Sequence, residues 1–230
     1  MAGIEIRDRS GTSSSSGWLD RGVYRYGLVL LLLAATFTFV MVAPTGGWAQ
    51  LLNALLFSAA ILTLLYRARV GRPLVAAALG MLVVAMGCAV AAQFSGRTVE
   101  GVADLAIAGL LVLVPVAIVD ELRRHLTVTL QSVTAALCVY LVFGMFFARV
   151  ASAVAEISGS PYFTDRSGAD GSQYLYFSFI TLATVGYGDF VPALRLGRAL
   201  AVLEGLLGQL YLVTVVALVV GSLVSRRAKS

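Results

Sequence analysis

The chain has 230 residues, 59% of them hydrophobic and 13% charged, with a formal net charge of +5. So apolar a composition excludes an ordinary soluble domain of this length and makes the bilayer the relevant solvent. The basic residues sit in short clusters beside apolar runs, as membrane topology places them, which argues against a nucleic-acid partner; Cys88 and Cys138 inside apolar runs and the lone His125 offer no disulfide framework, metal centre or nucleophile-base pair for an enzyme.

Residues 1–22 carry Arg7, Arg9 and the run Ser13-Ser14-Ser15-Ser16-Gly17. They cannot bury enough apolar surface to order themselves and read as a mobile cytoplasmic tail. The first apolar run, 23–43, is long enough to span a bilayer, and Pro44-Thr45-Gly46-Gly47 breaks it. It starts late and no small-residue cleavage pattern follows it, so it is not expected to be a signal peptide. A second run, 48–66, is closed by Arg67, Arg69, Gly71, Arg72 and Pro73. Runs at 74–94 and 102–119 follow, the latter with Asp104 near its start, so that 23–119 reads as a four-helix peripheral transmembrane domain. A cytoplasmic linker at 120–126 leads to a second unit, 127–224. That unit opens on a fifth run at 127–147. It continues through a polar region at 149–173, a short amphiphilic helix at 174–183 with Asp170 or Ser172 as its cap, a glycine-containing stretch, and a last long run at 200–224. Residues 225–230 are a cytoplasmic tail. Six spans divide the 17 basic residues twelve to five in favour of the side holding both termini. The positive-inside rule makes that side the cytoplasm of a multi-pass cell-membrane protein.

The stretch 181–192 reads T-L-A-T-V-G-Y-G-D-F-V-P and is too polar and short to span. A dehydrated cation needs oxygen ligands in place of water, and rings of backbone carbonyls supply them. Carbonyls of successive residues in an ordinary strand alternate sides; aiming them all at one axis requires alternation with residues at positive φ, which glycine adopts cheaply. Gly186 and Gly188, two apart, stand where that conformation is needed, with Val185 and Tyr187 turned outward between them.

Thr184-Val185-Gly186-Tyr187-Gly188, followed by Asp189, resembles the selectivity filter of the tetrameric potassium channels and matches the signature T-V-G-Y-G at every position. The resemblance is strong over 174–198 and weak over 23–119. It implies an all-α membrane protein of six transmembrane helices, with a re-entrant pore helix and selectivity-filter loop between helices five and six, and makes 127–224 the pore domain. It also implies a homotetramer in the lipid bilayer that conducts potassium passively, with no cofactor besides the permeant ion. By resemblance, the ligands are the carbonyls of Thr184, Val185, Gly186 and Tyr187 with the Thr184 hydroxyl, and Gly188 completes the filter.

The same resemblance assigns supports. Asp189 matches an aspartate that braces the filter from behind; its usual tryptophan partner on the pore helix is Tyr176 here, and the glutamate partner of some bacterial relatives is Ile180. A single Asp189–Tyr176 bond is the expectation. Gly208 falls on the gating-hinge glycine, although close helix packing is an alternative role that Gly205 and Gly221 would serve equally. Glu204, the one acid inside the last helix, either accepts hydrogen bonds from Thr181 or a tyrosine behind the pore helix or simply packs, and Gln209 lies close by. His125 is expected at an interface without a regulatory role. Tyr187 stands where non-selective relatives often carry an acid, which argues against a less selective cation channel. A transporter would show a second half with broken helices, and a non-conducting regulatory subunit is separated only by whether the protein conducts alone. The run 102–119 has no arginine or lysine and is not expected to sense voltage.

Overall fold

The computed structural model describes residues 16–42, 47–67, 72–92, 97–124, 130–164 and 168–221. Its elements are α1 (Ser16–Val42), α2 (Gly47–Arg67), α3 (Arg72–Ala92), α4 (Arg97–Arg124), α5 (Leu130–Ser158), α6 (Gly171–Leu182) and α7 (Arg195–Tyr211), which continues through a π-helical stretch, Leu212–Val216, to residue 221. The only β pairing among the described residues is an isolated bridge between Phe163 and Pro192. Three of the described helical segments, Thr98–Val116, Ser132–Ser158 and Arg195–Gly221, are long and apolar enough to cross a membrane. Shorter apolar stretches, Gly27–Val42 and Val75–Cys88, lie in α1 and α3.

The helices overrun the apolar runs that announce them. α1 begins at Ser16, inside the stretch expected as a tail, because a nucleated helix adds residues cooperatively past the end of its apolar segment; residues 1–15 lie outside the described residues. α4 runs to Arg124, through most of the expected linker, and holds Pro115 without a break. The largest correction concerns α5, which passes straight through Arg149 to Ser158 where a polar, irregular region was expected. The Arg149 guanidinium pairs with Asp104 of α4 at 2.8 Å and lies 5.6 Å from the centre of the Phe57 ring, and the small buried residues Ala148, Ala151, Ala153 and Ala155 let neighbouring helices close on this segment. α7 likewise begins at Arg195, ahead of its apolar run.

α5 is the hub, packing against α1, α4, α6 and α7. Its buried Ala135, Cys138, Val142 and Met145 meet Val29 and Leu33 of α1 and Leu110, Leu111 and Val114 of α4 in one core. Small residues set the closest approaches: a Cβ on Gly101 would stand 2.7 Å from the Ile157 side chain, and one on Gly144 would stand 2.5 Å from the Phe179 ring. α7 buries one stripe, Gly197, Glu204, Gly208 and Tyr211, spaced by seven, four and three residues as a helix face requires. The rest of its circumference, including Leu196, Val202, Leu206, Leu210 and Val213, is exposed on a single chain. The π-helical stretch carries an extra residue per turn and so rotates the buried face. After Tyr211 the next buried position is Val219, while Leu218, one residue earlier and in phase for an unbroken helix, is 70% exposed.

Candidate functional site

Each end of α6 is fixed separately. At its start Asp170 Oδ1 accepts from the backbone N–H of Ser172 and of Gln173, both at 3.0 Å, and from the Ser172 hydroxyl at 2.6 Å; Gln173 Oε1 accepts from the Asp170 N–H at 3.2 Å. This reciprocal capping box makes Asp170, rather than Ser172, the N-cap. At the other end the chain does not simply unwind. Ala183 N–H donates to Phe179 O at 2.9 Å and Thr184 N–H to Thr181 O at 3.0 Å, while the N–H groups of Val185 and Gly186 both turn back to Ile180 O, at 2.8 and 3.1 Å. In a trans peptide the N–H and the preceding C=O point in opposite directions. The carbonyls of Thr184 and Val185 therefore point away from the helix end.

Beyond α6, φ is positive at every second residue: +57° at Thr184, +50° at Gly186 and +79° at Gly188. The two glycines are where the sequence puts this conformation. Thr184 is not, because a β-branched residue rarely enters the left-handed region, and it is the only non-glycine residue with positive φ among those described. The sequence signal was the period itself, which extends backwards from Gly188 and Gly186 to position 184. Val185 and Tyr187 are 50% and 73% exposed, so the loop stands at the surface of the single chain.

Behind the loop lies a brace that sequence reasoning missed. Residues 162–164 run antiparallel to 191–193: Thr164 N–H donates to Val191 O at 3.0 Å, and Ala193 N–H to Tyr162 O at 2.7 Å. The Tyr162 hydroxyl reaches Gly197 O at 3.3 Å, and Arg198 Nε donates to Pro192 O at 3.0 Å. Phe163 packs against Tyr174, Phe177 and Phe190, with ring centres 5.4, 5.2 and 4.9 Å apart. The only hint in the sequence was the pair Tyr162-Phe163 inside an otherwise polar segment. Tyr176 packs on Phe190 at 5.6 Å, and Asp189 is its nearest acidic neighbour.

The inner side of the loop faces α7. Glu204 is 2% exposed and bonds to the Ser178 hydroxyl, which also lies 2.6 Å from Gly144 O, so one serine ties α6 to both α5 and α7. The partner expected for Glu204 was Thr181 or a tyrosine. Ser178 takes that place because it shares the buried face of α6 with Tyr174 and Leu175, whereas Thr181 lies only half-buried. Gly208 lies against the last turn of α6, where an added Cβ would stand 2.6 Å from Leu182 O; at Gly205 the nearest atom would be 3.8 Å away, and at Gly221 nothing is in reach. Packing thus gives Gly208 a reason that the other two glycines lack. The adjacent Gln209 donates from Nε2 to the Thr184 hydroxyl at 3.3 Å. His125 lies outside the described residues.

No curated protein and no solved structure matches the chain. Residues 135–225, which carry most of α5 together with α6, the loop and α7, match the family model described as ion channel, so the part of the chain that builds this site is similar to ion channels.

Proposed function

We propose that the chain is one subunit of a homotetrameric potassium channel that conducts passively across the cell membrane. The observation that carries this is the alternation of positive φ at Thr184, Gly186 and Gly188 within T-V-G-Y-G. It is the backbone pattern that lets successive carbonyls face one axis, with the carbonyls of Thr184, Val185, Gly186 and Tyr187 and the Thr184 hydroxyl as ion ligands. In this reading α1–α5 and α7 span the bilayer, α6 is the re-entrant pore helix, and both termini are cytoplasmic. The C-terminal end of α6 presents the negative end of its dipole to the cavity below the filter. Asp189 and Tyr176 brace the filter, and Gly208 is the hinge of the inner helix. Non-helical backbone at membrane depth must be buried in protein or line a wet cavity. Because the loop is exposed on one chain, copies of the chain must enclose it.

The test is flux from liposomes containing only the purified protein, with native mass spectrometry of the same preparation. Tetramers that pass potassium far faster than sodium are expected. Equal fluxes would favour a less selective cation channel, and no flux would favour a regulatory subunit. Gly186→Ala should abolish conduction while the tetramer still assembles. Within one chain nothing lies within 4 Å of the added Cβ, and the positive φ alone costs about 1–2 kcal/mol in each of four subunits.

A further inference from the structure

From the contact between Gln209 and Thr184 we infer that the Gln209 amide competes with the permeant ion for the Thr184 hydroxyl oxygen, and so weakens the innermost ion site. The inference rests on the potassium-channel reading, which makes that hydroxyl an ion ligand.

The geometry follows from the packing beside it. Gly208 lets α7 close on the Leu182 carbonyl, and the next residue is thereby carried to the inner end of the loop. Its Nε2 reaches Thr184 Oγ1 at 3.3 Å. A primary amide N–H can only donate, so the hydroxyl oxygen accepts. That oxygen has two lone pairs: one is held by the amide, and the other is left for a cation. Both neighbours draw on the same electron density, and the positive end of the N–H dipole lies close to the ion. A fixed donor also orients the hydroxyl, which would help an ion bind. That gain is small, since a β-branched side chain is already restricted at χ1. Competition therefore wins, and it grows with the charge of the ion. A channel gains from this arrangement, because an ion must bind strongly enough to enter and weakly enough to leave.

The probe is barium, a divalent ion of nearly potassium's size, applied from the cytoplasmic side to channels in planar bilayers. The same ion is titrated calorimetrically into the detergent-purified tetramer, which requires no conduction. Gln209→Met keeps the length of the side chain and removes the donor. It should tighten barium block and binding at least about 3- to 10-fold, the range of one neutral hydrogen bond, because all four subunits lose the donor together. In the background of Thr184→Val, which removes the hydroxyl at constant shape, Gln209→Met should change barium affinity less than about 2-fold; in Thr184→Ser, which keeps the hydroxyl, the full effect should return. Unchanged or weaker barium binding in Gln209→Met overturns the inference, as does an equal effect in the Thr184→Val background. Failure of the underlying reading is seen separately, as a wild-type protein that does not conduct or does not select potassium.

Discussion

Gly208 separates two roles for a helix glycine. A hinge needs only the freedom of a residue without Cβ, whereas a packing glycine needs the space, and here the space is missing: the added atom would lie 2.6 Å from a backbone oxygen and 2.8 Å from Leu182 Cδ1. The leucine side chain can give way, but the carbonyl at the end of α6 cannot do so without moving the loop that follows it. Gly208→Ala should therefore lower the stability of the detergent-purified protein by about 1–3 kcal/mol, in the range of overpacked cores. Gly205→Ala, with 3.8 Å of clearance, should be neutral or slightly stabilising. Thermal unfolding of the two variants decides it; equal stability would leave the hinge as the sole role of Gly208. The sequence alone shows three glycines in one apolar run and cannot choose among them, because the choice depends on which one faces Leu182. Gly186 and Gly188 were legible for the opposite reason: their conformation is local, set by φ and not by a distant partner.

α6 is the element on which the site depends, and its support is mostly non-local. Its cap was readable only as Asp170 or Ser172; the Gln173 side chain, which closes the capping box, decides for Asp170. The bond from Ser178 to Glu204 was not readable, because it joins residues 26 apart on two helices whose relative rotation no periodicity records. The extent of α5 was hidden in the same way: hydropathy alone stops the helix near Arg149, and the Asp104 carboxylate that offsets its charge lies 45 residues earlier. A buried acid left without its hydrogen bond costs at least the 1–3 kcal/mol of an unsatisfied polar group. Ser178→Ala should thus destabilise the protein by that amount and lower Tm by about 2–4 °C for each kcal/mol. It should also loosen α6 from α7, and hydrogen exchange at the amides of Thr184, Val185 and Gly186 should speed up. Unaltered exchange at these amides would mean that the serine bond does not position the loop.

At the scale of the whole molecule, six expected spans with the filter before the last give the outline of a voltage-gated channel, yet the charges do not supply a sensor. Moving one charge across the field is worth about 2.3 kcal/mol per 100 mV, and steep gating draws on 3 to 4 charges per subunit, or about 7–9 kcal/mol per 100 mV. Within α4 the apolar segment Thr98–Val116 has no arginine or lysine, and its two acids are Glu100, in the first turn of the helix, and Asp104. Its Asp104 is held at 2.8 Å by Arg149 of α5, the helix that also packs on α6 and α7. An ion pair that moves as a unit carries no net charge, and Asp104 cannot move alone without leaving the Arg149 guanidinium unpaired. Small residues close the same contact, since Gly101 lies against Ala153 and Ile157 one turn from the pair. The α4–α5 pair is thus built as a fixed strut between the peripheral helices and α6 and α7, and on the proposed function the work available from voltage is near zero. Open probability in planar bilayers should be flat between about −100 and +100 mV. A conductance that rises steeply and saturates, with a slope worth several charges per channel, would show that another element carries the charge and that the strut moves after all.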